Sequence, residues 1–227
     1  MTLSRGDASQ QLDGAGLRAK RALGQNFVVD PNTVRRIARL ADVKPGDRVL
    51  EIGAGLGSLT LALAESGADI TAVEVDEDLL PLLRENVGHL PNVTVVHGDA
   101  MKLEWSSLLS GHTDWALVAN LPYNVATPLV ADVLDLVPAV TRMLVMVQKE
   151  VGERFAAEPR TEAFGAVSVK VAFHGTATVV GIVPPTVFLP RPNVDSALVS
   201  IRRHAAPLDA SVDPKLLFRL VRAGFAK

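Results

Sequence analysis

Runs of β-type apolar residues recur near positions 48–52, 70–75, 93–97, 115–119, 142–148, 176–183 and 195–201, and most neighbouring runs are separated by segments whose apolar residues return at helical spacing. That alternation predicts an α/β fold with a doubly wound, mostly parallel sheet of seven strands. The last two runs, TATVVGIV and DSALVSI, have no helical segment between them. The Pro-rich stretch VPPTVFLPRPNV joins them instead, so they are expected as an antiparallel pair at one edge.

Toward the N-terminus the pattern is weaker. The first sixteen residues are polar and contain glycine without apolar periodicity, which predicts disorder, with order beginning near Leu23. Asp30 followed by Pro31 reads as a helix N-cap with proline at the first helical position. Val34, Ile37, Ala38 and Ala41 then extend the pattern into a helix of about three turns. At the other end HAAPLDASV carries no pattern, and Asp213-Pro214 opens another helix. The expected organisation is a basic, disordered arm over 1–22, a main α/β domain over 23–203, a linker over 204–212 and the beginning of a small helical domain over 213–227, cut short at its C-terminus.

A chain of 227 residues, 48% hydrophobic and 21% charged, is long enough for one such domain and a small appendage. The absence of cysteine excludes a disulfide framework, a thiolate zinc site and cysteine nucleophile chemistry. The opening MTLSRGDASQQLDGAG lacks the apolar core of a signal peptide, and no run approaches the length that spans a bilayer, so a cytoplasmic protein with no membrane partner is expected. The net charge of −2 conceals a segregated pattern. Basic side chains outnumber acidic ones eight to four in residues 1–46 and twelve to seven in 140–227, whereas residues 47–139 hold three against fourteen. Either this is ordinary fluctuation along a chain, or a basic rim surrounds an acidic cofactor-binding half.

The chemistry-bearing motifs fall at the ends of the apolar runs. VLEIGAGLGSLTLALAE joins a buried strand to an amphipathic helix through a turn with Gly53, Gly55 and Gly57. Its spacing is ExGxGxG rather than the GxGxxG that seats a pyrophosphate, which suits a cofactor that ends in a carboxylate, S-adenosyl-L-methionine. Glu74 closes the next strand at the distance where an acid meets ribose hydroxyls, and Asp99, in VVHGDAM, can accept from an adenine amino group. The fourth strand, DWALVAN, runs into Asn120-Leu121-Pro122-Tyr123. An exocyclic amine is a poor nucleophile because its lone pair is delocalised, so an enzyme must hold it with acceptors. Asn120 supplies a side-chain carbonyl, and Leu121 a backbone carbonyl whose orientation Pro122 restricts. Tyr123 can stack on the purine, a contact worth roughly 1–3 kcal/mol per base.

Taken in order, GQNFVVD, EIGAGLG, VEVD, GDAM, NLPYNVATP and VFLPRPNVDSA make the chain resemble the rRNA adenine N6,N6-dimethyltransferases of the KsgA type, from about Leu23 to Arg203. The resemblance implies a Rossmann-like class I methyltransferase domain over 23–203. It implies that Gln25, Asn26 and Val28 close over the cofactor beside Gly53, Gly55, Glu74, Asp99, Ala100 and Asn120, and that Phe188 sandwiches the target adenine opposite Tyr123. The target it implies is a pair of adjacent adenosines in the 3′-terminal hairpin loop of 16S rRNA, in the small ribosomal subunit or its precursor. A monomer is expected, without metal. Ala54 stands where many members of the family have proline. Arg18, Lys20 and Arg21, with Arg191, Arg202 and Arg203, are expected to meet RNA phosphates. Three alternatives stay open: an Erm-type 23S rRNA adenine N6-methyltransferase conferring macrolide resistance, a non-catalytic RNA-binding assembly factor on the same fold, and a small-molecule methyltransferase.

Overall fold

The computed structural model describes residues 2–206, 208 and 211–225. Residues 207, 209 and 210 of the expected linker, 226–227 of the expected C-terminal segment and Met1 of the expected arm lie outside the described residues. In chain order the elements are α1 (Arg5–Gly14), β1 (Phe27–Val28), α2 (Pro31–Ala41), β2 (Arg48–Ile52), α3 (Ser58–Ala64), β3 (Asp69–Glu74), α4 (Leu80–Val87), β4 (Val93–His97), α5 (Trp105–Leu108) and β5 (Trp115–Asn120). There follow α6 (Ala126–Leu136), β6 (Val140–Gln148), α7 (Lys149–Phe155), α8 (Ala166–His174), β7 (Gly175–Val183), β8 (Phe188–Leu189), β9 (Ser196–Arg203) and α9 (Pro214–Phe225).

Among the described residues, seven strands form one sheet in the order β4-β3-β2-β5-β6-β9-β7. The first five are parallel, and β9 runs antiparallel to both β6 and β7, as the missing helix between the last two apolar runs predicts. Helices cover both faces, which is why the strands read as near-continuous apolar runs. In β5, Leu117 and Ala119 pack with Leu129 and Val133 of α6, while Ala116 and Val118 belong to the opposite layer with Ile37 of α2 and Leu63 of α3. The N-cap expected at Asp30 is present, its carboxylate accepting from the Thr33 N–H at 2.8 Å and hydroxyl at 2.6 Å. Helix α9 docks on α8 through Phe218, edge-on to Phe173 at 5.4 Å and beneath the Lys170 ammonium at 4.3 Å. No helix among the described residues is long and apolar enough to cross a membrane.

Disorder of the first residues is corrected by the structure. Ser4 and Asp7 form a capping box: the Asp7 N–H donates to the Ser4 hydroxyl at 3.3 Å and the Ser4 N–H to the Asp7 carboxylate at 2.8 Å. Ala8 and Leu12, one helical turn apart, are buried against Phe27, Val29, Leu56 and Leu79. Two anchoring positions dock a ten-residue helix, yet they are too few to register as apolar periodicity in a polar segment. The segment between the last two strands also differs from an open loop, because Phe188 and Leu189 pair antiparallel with Val28 and Phe27 in a two-stranded ribbon.

Core position and surface position make opposite predictions for the same substitution. Leu117→Ala, in the middle of the sheet at 1% exposure, should cost about 2–5 kcal/mol in urea unfolding. Leu136→Ala, at 67% exposure, should stay within about 0.5 kcal/mol of the parent.

Candidate active site

Strand order reverses between β2 and β5, and open α/β sheets bind ligands in the crevice at such a point, beyond the carboxyl ends of the strands. A pocket opens there. It is lined by the loops that follow β2, β3 and β5, by residues 23–29, and by Leu3 and Ala8 of the N-terminal segment. Gln25, Asn26, Val28, Gly53, Gly55, Glu74, Asn120, Leu121 and Tyr123 all contribute to its wall. Asp99, Ala100 and Phe188 do not.

The glycine turn is built by packing as much as by conformation. Gly57, at φ 85°, precedes α3, and a Cβ there would stand 2.9 Å from Leu83 and Val87 of α4. Gly55, at φ 57°, would drive a Cβ to 3.0 Å from the Phe27 ring. Both positions therefore need glycine twice over, for a left-handed backbone and for close approach.

Glu74 is 4% exposed. One carboxylate oxygen accepts from the Gly55 N–H at 2.7 Å and the other from the Asp76 N–H at 2.9 Å. Burial pushes this carboxyl up from its ordinary range while the main-chain donors pull it down. Each oxygen retains a second lone pair for a ligand hydroxyl. Glu74 thus fastens the glycine turn as well as facing the pocket.

Residues 17–29 cross the strand ends as a strap held by a carboxylate. Lys20 reaches Asp76 at 2.6 Å and Asp78 at 2.7 Å, and Gln25 donates to Asp76 at 2.7 Å while accepting from the Lys20 N–H. Farther along, the Asn120 side-chain NH2 donates to the Asn26 carbonyl at 2.9 Å. That bond assigns the amide: with its nitrogen committed to the strap, the Asn120 side-chain oxygen is the group left for a ligand. Leu121 donates its N–H to the Met146 carbonyl, and among the described residues no donor reaches the Leu121 carbonyl. The half-buried Tyr123 ring is fixed through its hydroxyl, 2.8 Å from that of the fully buried Ser196 at the start of β9.

Several expected roles need correction or relocation. Asp99 lies in the turn after β4, its carboxylate accepting from the Met101 N–H at 3.0 Å and standing 3.2 Å from Lys102, so it stays in the ionised form. Ala100, beside it, packs against the core. Phe188, expected in an open loop, is fully buried in the layer under α2, where its ring has no face toward the pocket; in this conformation it cannot sandwich a base. Lys20 is spent on Asp76 and Asp78. Arg203 turns inward to the carbonyls of Val133, Val137 and Val140, which closes the C-terminal end of α6 rather than presenting charge to phosphate.

Glu51 was missed. It lies in β2, the middle one of the five parallel strands, at 1% exposure and lines the pocket with Oε2 buried and without a hydrogen-bond partner. The buried hydroxyl of Ser58, also in the pocket wall, lacks a partner too. The available signal was the acid that opens ExGxGxG within an otherwise apolar strand. Burial, reinforced by the nearby charge of Glu74, pushes the Glu51 carboxyl up to about 8.

A family model described as ribosomal RNA adenine dimethylase matches residues 16–227. The ribosomal RNA small subunit methyltransferase A of Thermobifida fusca is 47% identical over 217 residues, which cover 93% of this chain and 74% of that protein. The proteins of the same name from Streptomyces coelicolor and Lactiplantibacillus plantarum are 44% and 43% identical, covering 97% and 93% of this chain and 78% and 73% of theirs. Among solved structures, a dimethyladenosine transferase from Plasmodium falciparum superposes with a TM-score of 0.78 at 25% identity, over 88% of this chain and 70% of that one. The 23S rRNA methyltransferase ErmE superposes at 0.66 and 30% identity, over 85% of this chain and 75% of that one.

Glu51 gives the pocket a pH signature. An unfolded glutamate ionises in the ordinary carboxylate range, whereas the folded chain holds this proton up to about pH 8. Between those limits the native state binds more protons, so its contribution to stability falls as pH rises and levels off above pH 8. Glu51→Gln should flatten the decline of the melting temperature across this window, leaving the smaller slope that the raised Glu74 contributes. A decline as steep as the parent's would show that Glu51 ionises normally.

Proposed function

The chain belongs to the ribosomal RNA adenine dimethylase family, and on that premise we propose that it transfers methyl groups from S-adenosyl-L-methionine to N6 of two adjacent adenosines in the 3′-terminal hairpin loop of 16S rRNA. It is an rRNA methyltransferase that acts on the small subunit or its precursor during ribosome biogenesis, in the cytoplasm where ribosomes are assembled. The observation that carries the reading is the Asn120 side chain: its nitrogen is committed to the Asn26 carbonyl, and its oxygen remains as an acceptor at the switch point.

The pocket fits such a cofactor on its own evidence, because it combines a glycine turn, a strand-end acid with spare lone pairs, and two buried polar atoms that lack partners. When bound, S-adenosyl-L-methionine supplies an electrophilic methyl group on a sulfonium. Gly53 and Gly55 leave room for its amino-acid end, Glu74 accepts from the ribose hydroxyls, and Gln25, Asn26 and Val28 close the strap across it. We assign Asp99 and Ala100 to the adenine side of the same crevice, reached from the end of β4. The Asn120 oxygen and the Leu121 carbonyl accept from the target amine and favour a tetrahedral nitrogen, whose lone pair then points at the methyl. Tyr123, pinned by Ser196, provides the flat wall against which a flipped-out or single-stranded base lies. Orientation of two reactants in this way can supply on the order of 7–11 kcal/mol of the barrier. The relatives named for the small subunit, at 43–47% identity, favour 16S over 23S rRNA.

Asn120→Ala should leave the fold intact and cut turnover by about 10²–10³-fold, the loss typical of deleting one preorganised polar group. Turnover within tenfold of the parent would remove Asn120 from the chemistry. The substrate is tested by methyl incorporation into unmodified small subunits, large subunits and free RNA. Small subunits or their precursors should be the preferred acceptor; preferential labelling of large subunits would transfer the chain to the 23S-modifying branch.

A further inference from the structure

Between β6 and β7 the sheet inserts β9, antiparallel to both. The reversal has a chemical consequence. A parallel strand brings its last residues to the end of the sheet where the pocket opens, whereas β9 brings its first, and that residue is Ser196, opposite Gln148 of β6 and Val183 of β7. Its place is firmly set. The Lys149 N–H donates to the Asp195 carbonyl at 3.0 Å just ahead of it, and Ser196 itself has no exposed surface. Its hydroxyl lies 2.8 Å from that of Tyr123, a residue that follows β5, two strands away.

Burial decides which of the two hydroxyls donates. Among the described residues Ser196 has no second hydrogen-bond partner, so if it accepted the phenol proton its own O–H would be left unpaired inside the protein, the more costly arrangement. If it donates, the proton left over is the phenol's. Tyr123 is only half-buried and forms part of the pocket wall, where water or a ligand can take that proton. The tether limits the swing of the ring about its Cα–Cβ bond, and because a phenol oxygen accepts best from a donor near the ring plane, it limits the tilt as well. With Phe188 enclosed under α2, Tyr123 is left to offer an aromatic face to a base, and the swing and tilt of this one ring set where the target amine stands relative to Asn120.

Resting on the base-stacking reading above, we propose that Ser196 is a positioning residue for methyl transfer, which donates its hydroxyl proton to the Tyr123 phenol oxygen and so sets the angle at which the target base lies against the ring. It acts through Tyr123 and does not itself touch the base. A phenylalanine at position 123 would stack as well as a tyrosine but would lack the tether, so the phenol oxygen has a task separate from that of the ring. The antiparallel strand has one too: it carries a buried hydroxyl to the pocket end of the sheet.

Ser196→Ala and Tyr123→Phe remove the same bond from opposite ends, so either one decides the matter should the other fail to fold. With unmodified small subunits as acceptor, each should lower kcat by about tenfold, the factor that one neutral hydrogen bond can supply, while KM for the subunit stays within about twofold of the parent because the ring still stacks. The double variant should lose no more than either single one. Tyr123 is the one tyrosine of the chain, so phenolate absorbance reads this residue alone. Burial holds its phenol above the ordinary value while the bond from Ser196 draws it down, and Ser196→Ala should therefore raise the titration midpoint further. A ring-fluorinated tyrosine at this position brings the titration into milder base. A parental kcat in Ser196→Ala, a double variant whose loss is the product of the two single losses, or a midpoint that stays or falls overturns the proposal. Tyr123→Ala separates the tether from the reading beneath it. If loss of the whole ring leaves transfer at the parental rate, Tyr123 is not the base wall and both fall; if it abolishes transfer while Ser196→Ala and Tyr123→Phe do not slow it, the wall stands and the tether alone is rejected.

Discussion

A parallel sheet that is covered by helices on both faces has few places to show a polar group. Along β2, β3 and β5 the side chains go alternately into two apolar layers, so a carboxyl or amide is tolerated mainly where the strands end. The carboxyl ends of β2 and β5 diverge at the reversal of strand order, and the groups that would be intolerable inside the sheet converge there: Glu74, Asn120 and the main-chain donors of the glycine turn. Glu51 is the exception that tests this constraint. It sits inside the last turn of strand, buried, and is accommodated in the proton-bearing form.

The strap converts this crevice into a pocket. Its anchors are polar and specific, Asp76 for Lys20 and Gln25 at one end and Asn120 for Asn26 at the other. The helix preceding it adds an apolar wall, and Arg5 ties that helix to the far side of the pocket by donating to the carbonyls of Thr186 and Phe188 at 2.7 and 3.0 Å. A site assembled from strand ends, strap and N-terminal helix depends on contacts between residues as far apart as Arg5 and Phe188. The same Asn120 side chain serves both layers of this design, since the bond that holds the strap is the one that turns its oxygen to the ligand.

Charge is arranged with comparable economy. Acidic residues concentrate in the half of the chain that builds the pocket, where Asp76 and Glu74 are consumed as structural acceptors. Some of the basic residues at the two ends are consumed likewise, Lys20 in the strap and Arg203 at the end of α6. The segregated charge in the sequence therefore overstates the free charge on the surface, because the packing pairs off or caps several of the residues that produce it.

Local patterns in the sequence were sufficient for the sheet, for its antiparallel edge, for α2 with its Asp30 cap, and for the three strand ends at Gly53, Glu74 and Asn120. Those features arise from short-range physics: apolar alternation, proline and glycine geometry, and capping within a few residues. Other features depended on partners distant in sequence. Ala8 and Leu12 form a docked helix only because Phe27, Leu56 and Leu79 wait for them. The ring of Phe188 is enclosed because β8 pairs with β1, and the fate of Glu51 follows from which donors its neighbours had left. Local propensity sets where a strand ends, but burial and hydrogen-bond partners are shared among segments that meet only after folding, and the tertiary structure alone decides how they are divided.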